Sequence, residues 1–131
     1  MDELNERLAR LQPLREKQRT DFDQDPYLRD IVERNLEVAA QSIIDICHRI
    51  IVLEGARKPA DYYEAILLMG ELDIVPMIFA RNLAPLAGFR NVLIHEYLGI
   101  NWDIVYSKLQ KIDELNSFSD VIREWLLSKE S

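Results

Sequence analysis

The stretch DPYLRDIVERNLEVAAQSIIDICHRIIVLEG, Asp25 to Gly55, decides the fold. Asp25 can accept hydrogen bonds from the free N–H groups of a first helical turn, and Pro26 has no N–H to leave unsatisfied at the first helical position. Leu28, Ile31, Val32, Leu36, Ala39, Ile43, Ile46, Ile50 and Leu53 then recur at three- and four-residue steps, the spacing that puts one apolar stripe on a helix. Gly55 supplies the residue that tolerates a left-handed stop. The stretch predicts a single long helix with one buried face.

Upstream, Leu4, Leu8 and Leu11 predict a helix over roughly Asp2 to Thr20, with Pro13 either kinking it or marking a later start. The polar run Asp21-Phe22-Asp23-Gln24 reads as a short connection. Downstream, Lys58-Pro59 enforces a turn, and Asp61-Tyr62-Tyr63-Glu64 is an Asp variant of the capping box. That box opens a short helix with Ile66, Leu67, Leu68 and Met69 inward, broken over Gly70 to Asp73. Asp73-Ile74-Val75-Pro76 starts a helix that carries Met77, Ile78, Phe79 and Leu83 inward. Pro85, which removes a backbone hydrogen bond, bends the axis just before Arg90. Asn101 caps a last helix carrying Ile104, Val105, Leu109, Ile112, Leu115, Phe118, Ile122, Trp125 and Leu126 at a spacing close to 3.5, read as one continuous helix. Short links make sequential helices antiparallel. The expectation is an all-α chain, residues 1–131 forming one domain, folded as an antiparallel bundle of four main helices plus a short one.

A chain of 131 residues can bury a core without metal or disulfide staples. Its single cysteine, Cys47, sits in the apolar run from Ile43 and reads as a buried thiol. The acidic start Met1-Asp2-Glu3-Leu4-Asn5-Glu6 is no secretory signal, and no apolar run approaches the roughly 20 residues that cross a bilayer, so a soluble cytoplasmic protein is expected. A net charge of −7 argues against a broad nucleic-acid-binding surface but leaves room for a local basic cleft. An acidic exterior also suits a basic protein partner.

Chemistry concentrates in Gly88-Phe89-Arg90-Asn91-Val92-Leu93-Ile94-His95-Glu96-Tyr97-Leu98-Gly99. An Arg, an Asn, a His and a Tyr fall close together around the apolar trio Val92, Leu93 and Ile94. At about 100° per residue, Arg90 and Tyr97 share an azimuth, while His95 points roughly 140° away from Arg90. A straight, lone helix cannot aim Arg90 and His95 at one phosphate. Either the helix is distorted near Pro85 and Gly88, or a second copy completes the site across a two-fold axis, and the dimer is the preferred reading. Residue types alone favour a polar interface for Arg90, Asn91 and His95.

Other chemistries find little support. The residue three before His95 is Val92, and His48 has Asp45 there, so the paired Glu-x-x-His motifs of di-iron bundles are missing; one cysteine and two distant histidines lack zinc-ligand spacing. No metal or cofactor is expected. Asp45 and His48, one turn apart, read as a structural hydrogen bond, with Asp45 kept as a candidate for orienting a catalytic group. No nucleophile elbow or phosphate-cradling glycine loop is present. Tyr62, Tyr63, Tyr106, Trp102 and Trp125 read as core or interface packing rather than base-stacking groups.

The pattern Arg-Asn-x-x-x-His-x-Tyr, standing as Arg90, Asn91, His95 and Tyr97, resembles the signature of the HEPN superfamily, specifically the HepT-like toxins of toxin–antitoxin modules. The resemblance implies a homodimeric, metal-independent ribonuclease whose Arg90 and His95 meet across the subunit interface and cut RNA. Such cleavage by the ribose 2′-OH needs a group that titrates near neutrality and a permanent cation that grips two phosphate oxygens, which His and Arg supply. Asn91 would hold the phosphate, the Arg or the backbone. The resemblance further implies that Tyr97 accepts AMP from a cognate nucleotidyltransferase antitoxin, placing negative charge and bulk beside Arg90. The competing expectation is a non-catalytic helical partner or substrate-binding subunit of a nucleotidyltransferase.

Overall fold

Asp25 caps the long helix as its chemistry requires: its carboxylate accepts from the backbone N–H of Tyr27 at 3.0 Å and of Leu28 at 3.2 Å. The computed structural model, which describes residues 1–96 and 99–130, shows α3 running from Pro26 to Leu53 and ending at Gly55 with φ +63°. Before it come α1 (Asp2–Leu11), a 3-10 turn (Pro13–Glu16) and α2 (Arg19–Gln24); after it come α4 (Tyr62–Glu71), α5 (Met77–Leu83), α6 (Leu86–His95), α7 (Trp102–Gln110) and α8 (Ile112–Lys129). Among the described residues there is no strand, and no helix is long and apolar enough to cross a membrane.

The bundle is organised on α3, which packs against α1, α4 and α6, while α8 closes over α1. The buried stripe of α3 is Val32, Leu36, Ala39, Ala40, Ile43, Ile44, Cys47, Ile50 and Ile51. Two buried polar groups tie helices together with their hydrogen bonds made. Asn35 donates to the Ile31 carbonyl at 2.8 Å and accepts from Arg7 at 3.2 Å, and the Ser119 hydroxyl donates to Asn5 at 2.8 Å. Arg15 grips Asp113 with two bonds of 2.8 and 2.9 Å, fastening the 3-10 turn to α8; the hydrogen bond holds the Asp113 carboxyl below its ordinary range.

Several expected boundaries differ. Pro13 ends α1 rather than kinking it, because a proline cannot give its N–H to the carbonyl four residues back. The run Asp21 to Gln24 is no connection: it belongs to α2, where the Gln18 backbone N–H donates to the Asp21 carboxylate at 2.9 Å and Phe22 is fully buried. The last helix is two, broken at Lys111 with φ −103° and ψ 19°. Ile31, Leu53, Ile78, Ile104 and Leu126, expected inside, are substantially exposed, because each lies off the buried stripe of its helix or near a helix end.

Cys47 is fully buried, and that burial pushes its thiol up to about 12. The thiolate is the reactive form. Folded protein at pH 8 should therefore leave an aromatic disulfide reagent unreacted and titrate one thiol once denatured. Stoichiometric reaction before unfolding would contradict this burial.

Candidate functional site

The expected bend upstream of Arg90 is a break between two helices at Pro85. This proline lies between α5 and α6 with φ −60° and ψ −14°, and the chain tightens there: the N–H groups of Ala87 and Gly88 donate to the carbonyls three residues back. The helix that starts there, α6, buries Leu86, Ala87, Phe89 and Leu93 and packs on α3 and α4. Burial of that face fixes where its polar residues go.

Arg90 is half-buried and held from two directions. Its Nη1 donates to Asn91 Oδ1 at 3.0 Å, and its Cζ lies 5.5 Å from the centroid of the Tyr62 ring, within reach of a cation–π attraction. Its Nε is buried without a partner. Of the five N–H donors of a guanidinium, the Nε one is enclosed and one on Nη1 is taken by Asn91, which leaves the remaining Nη donors for a substrate oxygen. Arg90 lines an open cleft of about 320 Å³ with Arg34, Gln41 and three carboxylates, Glu3, Glu37 and Asp45. Asp45 sits on the same cleft, exposed, and its Oδ1 accepts from Gln41 Nε2 at 2.8 Å.

His95 is the last residue of α6, exposed, and without a hydrogen bond or ion pair among the described residues. It does not line the Arg90 cleft. Within the chain, then, Arg90 meets Asn91 and shares a cleft with Asp45, while His95 does not line that cleft and stands at the helix end. Tyr97 lies outside the described residues.

The expected Asp45–His48 bond is not made. A histidine on a helix has the carbonyl one turn back within easy reach, and His48 Nδ1 donates to the Ile44 carbonyl at 3.0 Å, which leaves Asp45 to Gln41. The His48 ring instead meets Tyr62 edge to face, centroids 5.5 Å apart. Sequence reasoning placed Tyr62 as packing only, yet it supports the candidate catalytic Arg. Its position in a capping box gave no sign of this, because the contact joins α4 to α6 through the tertiary fold.

A family model described as "Ribonuclease HepT-like" matches residues 4–122 of this chain. The chain is 29% identical over 103 residues to the mRNA nuclease HepT of Shewanella oneidensis, a match covering 78% of this chain and 77% of that protein. It is 34% identical over 76 residues to the tRNA nuclease HepT of Aphanizomenon flos-aquae, covering 58% and 52%. Among solved structures, a toxin–antitoxin with AMP-PNP superposes with a TM-score of 0.85 at 25% identity, covering 94% of this chain and 93% of that one. The tri-AMPylated Shewanella oneidensis HEPN toxin in complex with MNT antitoxin does so with 0.84 at 26% identity, covering 94% and 92%. The match spans nearly the whole bundle, including α3, Arg90 and His95, and this chain belongs to the HepT-like ribonuclease family.

Proposed function

We propose that this chain is the toxin of a toxin–antitoxin pair, a ribonuclease that cuts RNA without a metal in a groove shared by two copies, each giving Arg90 and His95. The observation that carries the reading is α6 itself. It presents an Arg whose guanidinium lines an open cleft with only one hydrogen bond, to Asn91, and, at its exposed end, a His without a hydrogen bond or ion pair among the described residues. In that groove one His95 takes the proton of a ribose 2′-OH as its oxygen attacks the neighbouring phosphorus. The same His95 then passes that proton to the departing 5′-oxygen, and Arg90 holds the phosphate oxygens as charge builds on them. The products carry a 2′,3′-cyclic phosphate and a 5′-hydroxyl. Asn91 holds Arg90 in place, and Asp45 orients groups on the rim of the cleft.

The partner in this reading is a nucleotidyltransferase antitoxin. The Tyr97 hydroxyl attacks the α-phosphorus of ATP, pyrophosphate leaves, and the attached AMP adds negative charge near Arg90, opposing RNA. Purified chain should cut labelled RNA in the presence of EDTA to cyclic-phosphate ends. After incubation with ATP and the antitoxin its intact mass should rise by one or more AMP units and cleavage should stop. Tyr97→Phe should cut as the parent does and keep cutting after that treatment. An unshifted mass for the parent would remove the modification, and intact RNA would remove the nuclease.

A further inference from the structure

Beside the Arg90 cleft lies a second one that the cleavage chemistry does not use. Tyr62 and Tyr63, in the first turn of α4, line it with Asp61, Ala87, Gly88 and Asn91. Its volume is about 420 Å³; small-molecule sites run to roughly 300–1,000 Å³. The α6 side is bare: a Cβ built on Gly88 would meet no atom outside its own helix within 4 Å, so a flat group can approach the helix backbone. The α4 side is aromatic and accessible, with Tyr62 37% and Tyr63 46% exposed. Tyr62 is braced by Arg90 and His48, whereas Tyr63 makes no hydrogen bond or ring contact among the described residues.

Charge decides which part of an RNA would enter. The Asp61 carboxylate, whose Oδ1 caps α4 by accepting from the Glu64 N–H at 2.8 Å, repels a phosphate but accepts from the N–H edge of a base. Asn91 faces this cleft while its Oδ1 holds Arg90, so an occupant here sits one side chain away from the phosphate grip. Exposed aromatic rings, a side-chain-free floor and polar groups on the rim are what an unstacked base of single-stranded RNA requires.

We infer that the cleft between Tyr63 and Gly88 receives the nucleobase next to the phosphate held by Arg90, stacking it on tyrosine and reading its N–H edge with Asp61. This rests on the ribonuclease reading of Arg90, and the test separates the two. Binding is measured by fluorescence anisotropy of a labelled hexaribonucleotide on His95→Ala protein, so that it is read without cleavage. The same RNA is used in a series in which one base at a time is replaced by an abasic ribose. Gly88→Leu fills the cleft from a position with open space before it, and Tyr63→Ala removes a wall. Each should weaken binding about ten-fold or more, the usual worth of a stacked base. The loss should vanish on the one RNA that lacks the base in question. Unchanged binding by Gly88→Leu overturns the inference, as does an equal loss on every abasic RNA. Loss of self-association by Gly88→Leu in sedimentation also overturns it, since the cleft would then belong to a second copy. If the nuclease reading alone is wrong, parent protein leaves RNA uncut while the binding pattern survives.

Discussion

His95→Ala and Arg90→Ala should each lower RNA cleavage on the order of 10²–10⁴-fold, and dimers that contain one copy of each variant should recover it. The individual losses follow from the chemistry: without His95 no group at the helix end moves the proton, and without Arg90 the developing phosphate charge faces the Asp45 carboxylate on the same cleft. Recovery in the mixed dimer follows from geometry. In one protomer the Arg90 cleft does not include His95, and five residues of helix separate their azimuths by roughly 140°. A groove that takes its Arg from one copy and its His from the other keeps one intact pair when the two lesions lie on different chains. Purifying the heterodimer through two different tags and assaying it against each homodimer decides the point. A mixed dimer as inactive as its parents would sink the shared groove, and His95→Ala cutting at the parental rate would sink the assignment of the imidazole. Arg90→Lys should not restore activity, because an ammonium lacks the planar fork that grips two oxygens and would sit differently over Tyr62.

Legibility in the sequence tracked how local each feature is. Asp25, Asp61 and Asn101 were readable as helix caps because their bonds reach only two or three residues along the chain, and each is made. Gly55 was readable because its positive φ is a backbone demand that few other residues meet. Arg90, Asn91 and His95 could be named from a short motif; Pro85, read as a bend within one helix, instead precedes a separate helix, α6, that carries all three. What surrounds them could not. Tyr62 reaches Arg90, and Gln41 takes Asp45, through the packing of α4 and α6 around α3. The break at Lys111 carries no glycine or proline, and the apolar spacing runs through it undisturbed, so periodicity alone joins α7 to α8. The six residues of α2 are too few to show a period at all, and five polar neighbours disguise the one that matters.

That residue is Phe22, and Phe22→Ala should destabilise the protein by about 3–5 kcal/mol, the range for removing a large aromatic side chain from a packed site. It is the only buried side chain of α2 and is fully enclosed. Its ring stacks on Trp102 at 4.9 Å with the planes 22° apart and meets Tyr106 edge-on at 5.9 Å. It therefore joins α2 to the start of α7 across most of the length of the chain. The surrounding polar contacts make relaxation into the cavity difficult. Trp102 Nε1 donates to Glu33 at 2.8 Å, the Tyr106 hydroxyl donates to the Lys17 carbonyl at 3.0 Å, and Arg29 donates to the carbonyl of Phe22 itself. Closing the void means moving at least one ring away from its partner. A chain of this size should lose on the order of 10–20 °C in Tm, with the urea midpoint falling and the slope unchanged if only the folded state is affected. Phe22→Leu keeps most of the volume and forfeits the stacking, worth about 0.5–1.5 kcal/mol, so it should fall well short of the alanine loss. An alanine variant within about 1 kcal/mol of the parent would mean that α2 contributes little to holding α7, and that the segment read from sequence as a connection behaves energetically as one.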